Sequence, residues 1–223
     1  MVERCDLSLL CLVETRVRAD KIQDIHLLSG WSFEFCNSNQ GLGEIWLVWN
    51  KDCLNVHICP KLPQVMHCKI SSNDMNLNCY CSFIYVSNDG IDRRELWQNL
   101  AYFKSIVDDF PWILPGDFNV VCRPNERLGG SVLNGLEMEF SQSVANLELV
   151  DHSAVGCFFT WSNRRDDKEF TANKLDRVMV NHQWLCSFNQ SIVEFMSPGI
   201  SDHSPAQTIS SCTNMLRPFF FLR

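Results

Sequence analysis

Hydrophobic residues along the chain fall mostly into short blocks separated by polar and turn-forming residues. Blocks of this length, rich in β-branched and aromatic residues, are typical of β-strands rather than of helices. The pattern therefore predicts a chain built mainly of strands. The predicted strands cover residues 7–13, 45–49, 65–71, 78–86, 112–114, 158–161, 175–180 and 205–210.

Two segments instead carry hydrophobic residues at the three- and four-residue spacing of an amphipathic helix. The first stripe consists of Leu96, Leu100, Phe103, Val107 and Phe110, and the second of Leu136, Phe140, Val144 and Leu147. Asp92 with Glu95, and Asn134 with Glu137, stand where capping boxes would begin these helices. Many strands with few, widely spaced helices predict one domain, a layered α/β or α+β sandwich rather than a βαβ array.

The composition is that of a globular domain, since 46% of the 223 residues are hydrophobic and 20% are charged. It excludes disordered, collagen-like and coiled-coil classes. The longest hydrophobic runs, at 9–13, 45–49 and 219–222, are shorter than the about 20 residues that span a bilayer. Residues 7–13 lack the flanks of a signal peptide. We expect a soluble, intracellular protein that is neither secreted nor membrane-bound.

The formal net charge of −7 comes from 26 acidic and 19 basic residues. It argues against a protein that binds nucleic acid passively and non-specifically, because such proteins are basic. It does not exclude an enzyme that holds a metal ion between carboxylates and a phosphate. The 12 cysteines include no C-x-x-C pair. We therefore expect buried, reduced thiols rather than disulfides or a zinc site.

The most informative segment for chemistry is residues 113–121, where a hydrophobic strand ends in a glycine turn that carries Asp117 and Asn119. These two side chains are two residues apart and so lie on one side of an extended backbone. A carboxylate beside an amide suits a site that positions a nucleophilic water and binds a phosphate oxygen. A plain turn is the alternative, since Gly, Asp and Asn are common turn residues.

Three further polar features have both a functional and an ordinary interpretation. Asp202 and His203 could supply a metal ligand and a proton carrier, or belong to a solvated loop. Glu14, at the end of a predicted strand, could bind a divalent cation at the sheet rim or simply end the strand. Asp176 lies within a predicted strand and needs an arginine or histidine partner. If that partner is His203, the pair has the logic of a general base held in one tautomer.

Together and in this order, these motifs resemble the endonuclease/exonuclease/phosphatase superfamily, the family of deoxyribonuclease I. They are most similar to the endonuclease domain of plant LINE-type (non-LTR) retrotransposons. The stretches that carry the resemblance run along essentially the whole chain: 14–15, 45–50, 94–97, 116–119, 126–130, 159–163, 175–178 and 198–205. The resemblance implies a DNase I-like α+β fold, a four-layer α/β/β/α sandwich of two packed, mainly antiparallel sheets flanked by helices. It also implies a metal-dependent endonuclease that nicks DNA by phosphodiester hydrolysis.

The resemblance assigns roles to the polar residues around the expected metal. Glu14 and Asp202 would hold the catalytic Mg²⁺ (or Mn²⁺). Asp117 would orient and activate the attacking water, and Asn119 would hold that water or a phosphate oxygen. These roles agree with the needs of in-line attack on a phosphodiester, which are a positioned water and neutralisation of charge by a metal.

The resemblance also assigns residues that contact the phosphate and the DNA. His203 would bind the scissile phosphate or act as acid or base, and Asp176 would hold His203. Tyr85 matches the family's phosphate-contacting tyrosine, with Asn88 beside it. Trp161 would contact the substrate.

Family members begin with a further strand that carries a site asparagine, and Met1 falls after the position of that strand. We therefore expect residues 1–212 to form the domain without its first strand, and residues 213–223 to begin a connection towards a reverse-transcriptase region.

Three hypotheses are open: an active DNA endonuclease, a catalytically inactive truncated remnant, and a phosphatase of the same superfamily. For the endonuclease, the resemblance implies a monomer that acts in the nucleus, with the cytoplasm as the alternative location.

Overall fold

The computed structural model of the protein describes residues 7–17, 30–37, 43–72, 77–87, 89–107, 109–129, 135–165, 169–210 and 219–222. Within these residues it contains 16 β-strands and three α-helices. The helices are α1 (Gly90–Val107), α2 (Leu136–Asn146) and α3 (His182–Ser187), and a short 3-10 helix covers Pro124–Glu126.

The strands in the first half of the chain are β1 (Leu9–Val13), β2 (Trp31–Asn37), β3 (Gly43–Asn50), β4 (Asn55–Leu62), β5 (Val65–Ser72), β6 (Leu77–Tyr85) and β7 (Trp112–Asp117). Those in the second half are β8 (Arg127–Leu128), β9 (Val150–Asp151), β10 (Ala154–Gly156), β11 (Trp161–Ser162), β12 (Ala172–Asn173), β13 (Asp176–Val180), β14 (Ser191–Phe195), β15 (Ala206–Ser210) and β16 (Phe219–Leu222).

The strands form two large sheets and one small one. The first large sheet has seven strands in the order β10-β14-β15-β16-β1-β3-β2, and the second has six in the order β4-β5-β6-β7-β13-β9. The small sheet has the order β11-β12-β8. Most neighbouring strands are antiparallel, and the parallel pairs are β1–β16, β10–β14 and β6–β7.

The two large sheets share a hydrophobic core, to which the seven-stranded sheet contributes Leu9 and Leu47 and the six-stranded sheet Met66. Successive residues of β7 face opposite sides, because Ile113 belongs to this core and Leu114 to a second one. The second core packs under helices α1 and α2 and includes Leu96, Leu100, Phe103, Val107 and Phe140. These layers confirm the predicted α+β sandwich of packed, mainly antiparallel sheets flanked by helices.

Several element boundaries differ from the sequence predictions. Strand β7 continues to Asp117, beyond the predicted end at residue 114, because β6 and β13 pair with it on both sides. The predicted strand 158–161 is reduced to the two-residue β11. Phe110 lies beyond the end of α1 and is 38% exposed. The segment 219–222, which we expected in a connection, forms β16 and pairs with β1 and β15.

The predicted capping boxes are wrong where the structure describes them. Helix α1 begins at Gly90, so Asp92 lies inside its first turn and accepts a hydrogen bond from Ser87 Oγ at 3.0 Å. Helix α2 begins after Gly135, which supplies no side-chain cap, and Glu137 faces Arg127 at 3.8 Å. The predicted cap residue Asn134 lies outside the described residues.

The ten described cysteines are all free thiols, as the sequence predicted. Cys11, Cys68 and Cys81 are fully buried between the sheets, whereas Cys59 and Cys186 are exposed, contrary to expectation. No helix in the described part of the chain has the length and hydrophobicity needed to cross a membrane.

Candidate active site

Three polar residues lie side by side on neighbouring inner strands of the six-stranded sheet, where those strands begin or end. Asp117, the last residue of β7, pairs in register with Tyr85 at the end of β6 and with Asp176 at the start of β13. Residues that pair directly across neighbouring strands project from the same face of a sheet. The topology therefore gathers at one end of the sheet three residues that are far apart in the sequence.

The turn after β7 is held by the side chains of Asp117 and Asn119. The backbone N–H of Asn119 donates to Asp117 Oδ1 at 2.9 Å, and Asn119 Nδ2 donates to the carbonyl oxygen of Val86 at 2.7 Å. Asn119 has a φ of +50°, a left-handed conformation that asparagine tolerates better than most residues. The amide of Asn119 thus ties the turn to the end of β6, and Asp117 is fully buried beneath it.

His203 and Asp176 form a buried hydrogen-bonded pair, with 2.8 Å between His203 Nδ1 and Asp176 Oδ2. Both side chains are only 1% exposed. Because a carboxylate oxygen accepts the bond, the proton lies on Nδ1 and the imidazole is held in one orientation. This is the contact that the sequence resemblance implied between the two residues.

Thr160 binds the backbone of the two segments that carry Asp176 and His203. It was assigned no role from the sequence. Its hydroxyl oxygen accepts the backbone N–H groups of Leu175 and Asp176 at 3.0 and 2.8 Å. Its carbonyl oxygen accepts the N–H of Ser204 at 2.7 Å. Thr160 thereby joins the start of β13 to the segment that carries His203. The signal that could have found it is its place between Phe159 and Trp161, inside a stretch that carries the family resemblance.

The described residues contain one group of potential metal ligands, formed by Asp117, Asp176 and His203, whose ligand atoms lie within 4.8 Å of one another. All three side chains are buried, and Asp176 Oδ1 has no hydrogen-bond partner among the described residues. An orphaned buried carboxylate oxygen beside a second carboxylate is a donor set that suits a hard divalent cation. The residues present therefore fit a metal of this class.

The two predicted metal ligands, Glu14 and Asp202, are not members of this group. Asp202 Oδ2 accepts a hydrogen bond from Trp161 Nε1 at 2.8 Å, and Trp161 pairs with His203 through an isolated β-bridge. Glu14 follows β1 in the other large sheet, and its carboxylate pairs with Arg16. The predicted substrate residue Asn88 lies outside the described residues.

Arg93 supplies a buried positive charge beside the site and was also missed from the sequence. Its Nε donates to the carbonyl oxygen of Ser87 at 2.7 Å, and a terminal nitrogen lies 3.4 Å from the carbonyl oxygen of Asn119. Burial lowers the pKa of Arg93, and the carboxylates of Glu139 and Asp117 oppose that shift. Arg93 therefore ties the loop after Tyr85 to the turn after Asp117.

Solved structures similar to the chain identify its fold. The endonuclease domain of TRAS1, a telomere-specific non-LTR retrotransposon, has a TM-score of 0.64 and 11% identity, covering 92% of this chain and 99% of that chain. An endonuclease/exonuclease/phosphatase family protein from Bacteroides thetaiotaomicron has a TM-score of 0.64 and 14% identity, with 93% and 84% covered. TDP2 of D. rerio, complexed with single strand DNA product, has a TM-score of 0.52 and 11% identity, with 91% and 83% covered.

No protein-family model matches the sequence, and comparison with curated proteins gave no match either. At 11–14% identity the structural likeness shows the fold alone. The chain has the DNase I-like fold of endonuclease/exonuclease/phosphatase proteins, which confirms the fold expected from the motifs.

Proposed function

We propose that the chain is a metal-dependent phosphodiesterase, a DNA endonuclease domain of the type found in LINE retrotransposons, which nicks one strand of duplex DNA. The observation that carries the proposal is the buried Asp176–His203 hydrogen bond beside Asp117, at one end of a DNase I-like sandwich. Phosphodiester hydrolysis needs a group that accepts a proton from water and a donor for the phosphate, and this cluster offers both.

The carboxylate of Asp117 is the candidate general base. A water molecule that attacks phosphorus gives up a proton as the new P–O bond forms, and Asp117 is the acceptor at this point of the site. One Asp117 oxygen already accepts the N–H of Asn119, which fixes the direction of the carboxylate. Asn119 then acts by holding the carboxylate in place as well as by any contact with the phosphate.

His203 is the candidate phosphate-binding and proton-donating group. Its Nδ1 is engaged by Asp176 at 2.8 Å, so Nε2 is the atom that faces a substrate. When protonated, Nε2 donates a hydrogen bond to a phosphate oxygen, or a proton to the leaving oxygen as the old P–O bond breaks. Tyr85, which pairs in register with Asp117, is the candidate for a second donor to the phosphate, through its hydroxyl group.

A divalent cation, Mg²⁺ or Mn²⁺, would neutralise charge on the phosphate when bound. The orphaned oxygen of Asp176 is a candidate ligand by position, and Glu14 and Asp202 are candidate ligands by sequence resemblance. DNA as the substrate is supported by the similar TRAS1 endonuclease domain and by TDP2 bound to a single strand DNA product. Monomeric action in the nucleus, beside a reverse-transcriptase region in the parent element, belongs to the same proposal.

The test is nicking of supercoiled plasmid by the purified chain in Mg²⁺, with EDTA as the metal-free control. Asp117→Asn and His203→Gln should each lower the nicking rate by about 10²–10⁴-fold, because each removes one proton-transfer group. The matched variant Asp109→Asn changes an exposed carboxylate that precedes β7, at the opposite end of that strand from Asp117. It should nick at the wild-type rate.

Two results would overturn the proposal. Equal nicking by the wild type and both site variants would mean that the activity comes from a contaminant or another site. A folded wild-type chain without nicking in Mg²⁺ or Mn²⁺ would favour the hypothesis of an inactive remnant. Circular dichroism of each variant separates loss of chemistry from loss of fold.

A further inference from the structure

The loop just before the candidate site holds an isoleucine that the fold does not use. Ile200 is fully exposed, the most exposed of the large hydrophobic side chains in the described part of the chain. A Cβ placed on the neighbouring Gly199 would meet no atom within 4 Å, so the side of Gly199 on which a side chain would lie also faces open space. A β-branched hydrophobic side chain in this position gains nothing from folding.

Arg164 holds this loop in a defined shape. Its guanidinium donates to the carbonyl oxygens of Gly199 at 2.9 Å and Ile200 at 3.1 Å, and also to that of Ser201. The next residue, Asp202, is bound by Trp161. A planar guanidinium that binds three consecutive carbonyls restricts the backbone on both sides of Ile200. The exposed side chain is therefore presented in a fixed direction.

The guanidinium of Arg164 places a positive charge at the base of the loop, and the loop itself carries the carboxylate of Asp202. Arg164 makes its hydrogen bonds to neutral carbonyl oxygens, and no carboxylate pairs with it among the described residues. An exposed hydrophobic side chain beside a guanidinium suits a duplex, in which phosphates flank the hydrophobic faces of the stacked bases.

The position of Ile200 relative to His203 sets what it can reach. Three residues of chain span at most about 10 Å, and successive phosphates of one strand are about 3.4 Å apart along the helix axis. If His203 binds the scissile phosphate, Ile200 lies within about three base pairs of the nick.

We propose that Ile200, held by Arg164, is a wedge that enters a base step of duplex DNA next to the nicked phosphate and selects deformable steps. Hydrophobic side chains inserted in this way unstack bases and bend the duplex, and TA steps yield more easily than A-tracts. The inference rests on the proposed function, because it takes His203 as the phosphate-binding residue.

The test uses two short duplexes, one with a TA step and one with an A-tract beside the nicking position. Each carries 2-aminopurine at that step, whose fluorescence rises when the base unstacks. Wild type should raise the fluorescence of the TA duplex on binding and nick it faster than the A-tract duplex. Ile200→Ala should abolish the rise and lower the TA preference about tenfold, the factor for losing roughly half the burial of an isoleucine side chain.

Two further variants complete the design. Arg164→Lys keeps the charge but cannot bind three carbonyls in the geometry of a guanidinium. Like Ile200→Ala, it should therefore lower the preference for the TA duplex. Ile106→Ala removes an exposed isoleucine of α1, a helix that ends on the side of β7 away from Asp117, and should behave as wild type.

A small nitrophenyl phosphodiester separates this inference from the proposed function, because it has no base step to unstack. If wild type hydrolyses the ester and Ile200→Ala retains the fluorescence rise and the TA preference, the wedge is wrong and the proposed function stands. If wild type hydrolyses neither substrate, the proposed function fails. The fluorescence measurement then still decides about Ile200, since it needs no turnover.

Discussion

Gly116→Ala should disrupt the centre of the six-stranded sheet, because no Cβ fits between strands β6 and β7. A Cβ built on Gly116 would lie 2.2 Å from the carbonyl oxygen of Ile84 and 2.5 Å from its Cβ, whereas ordinary contacts begin at 3.4 Å. Ile84 and Gly116 pair in register, so the obstacle is backbone that cannot rotate away. The two strands must separate locally by roughly 1 Å.

The energetic cost follows from this separation. Forcing extra volume into a packed interior costs about 1–3 kcal/mol. The hydrogen bond from Val86 N–H to Asp117 O, 2.9 Å long and one residue beyond the collision, would be stretched, which costs about 1 kcal/mol more. We expect a loss of about 2–4 kcal/mol from the free energy of unfolding, a large part of the about 5–15 kcal/mol of a typical domain.

Urea denaturation followed by tryptophan fluorescence measures this loss, which should lower the midpoint by about 1–2 M. Gly199→Ala is the matched control, since its Cβ would meet nothing within 4 Å, and it should change stability by less than about 0.5 kcal/mol. A Gly116→Ala protein as stable as the control would refute the argument, because it would show that β6 and β7 accept a Cβ between them.

Two further predictions concern buried charge. Burial lowers the pKa of His67 from 6.5 to about 4, so the unfolded chain binds a proton that the folded chain rejects, and stability is lost as the pH falls through this range. Urea titrations at pH 7 and pH 4 measure how much of the free energy of unfolding is lost between these two pH values. This loss should be about 3 kcal/mol larger in wild type than in His67→Phe, and equal losses would contradict the argument. Arg177→Met leaves the buried carboxylate of Glu126 without its cation and should cost about 3–5 kcal/mol in the same assay. Adding Glu126→Gln should restore part of that loss, and no recovery would exclude an ionic cause.

The sequence predicts those parts of the fold in which one side of an element is buried and the pattern is local. Strand β1, in which alternate residues are buried, and the stripe of α1 follow directly from hydrophobic spacing. The ends of elements follow less well, because tertiary partners decide them. Asp92 has the spacing of a cap residue, but it lies inside α1 and accepts a hydrogen bond from the hydroxyl group of Ser87. Strand β7 extends to Asp117 because it has a partner strand on each side.

The candidate site shows the same division between local and long-range information. The turn that carries Asp117 and Asn119 is readable from the sequence, since a strand, a glycine and two polar residues follow one another. Thr160 and Arg93 are not, because their roles lie in bonds to backbone groups far away in the chain. Such bonds leave no pattern of residue types, so sequence reasoning finds them only through resemblance.

Strand β16 shows why local pattern alone cannot fix the order of a sheet. Residues 219–222 form a short hydrophobic run that suits a strand, a connection or a docking tail equally well. In the structure this run lies between β1 and β15, parallel to the first and antiparallel to the second. Both neighbours would otherwise present an open edge, and an unpaired backbone edge inside a sheet is unfavourable. The decisive fact is the gap between β1 and β15, which exists only once both strands have paired on their other sides.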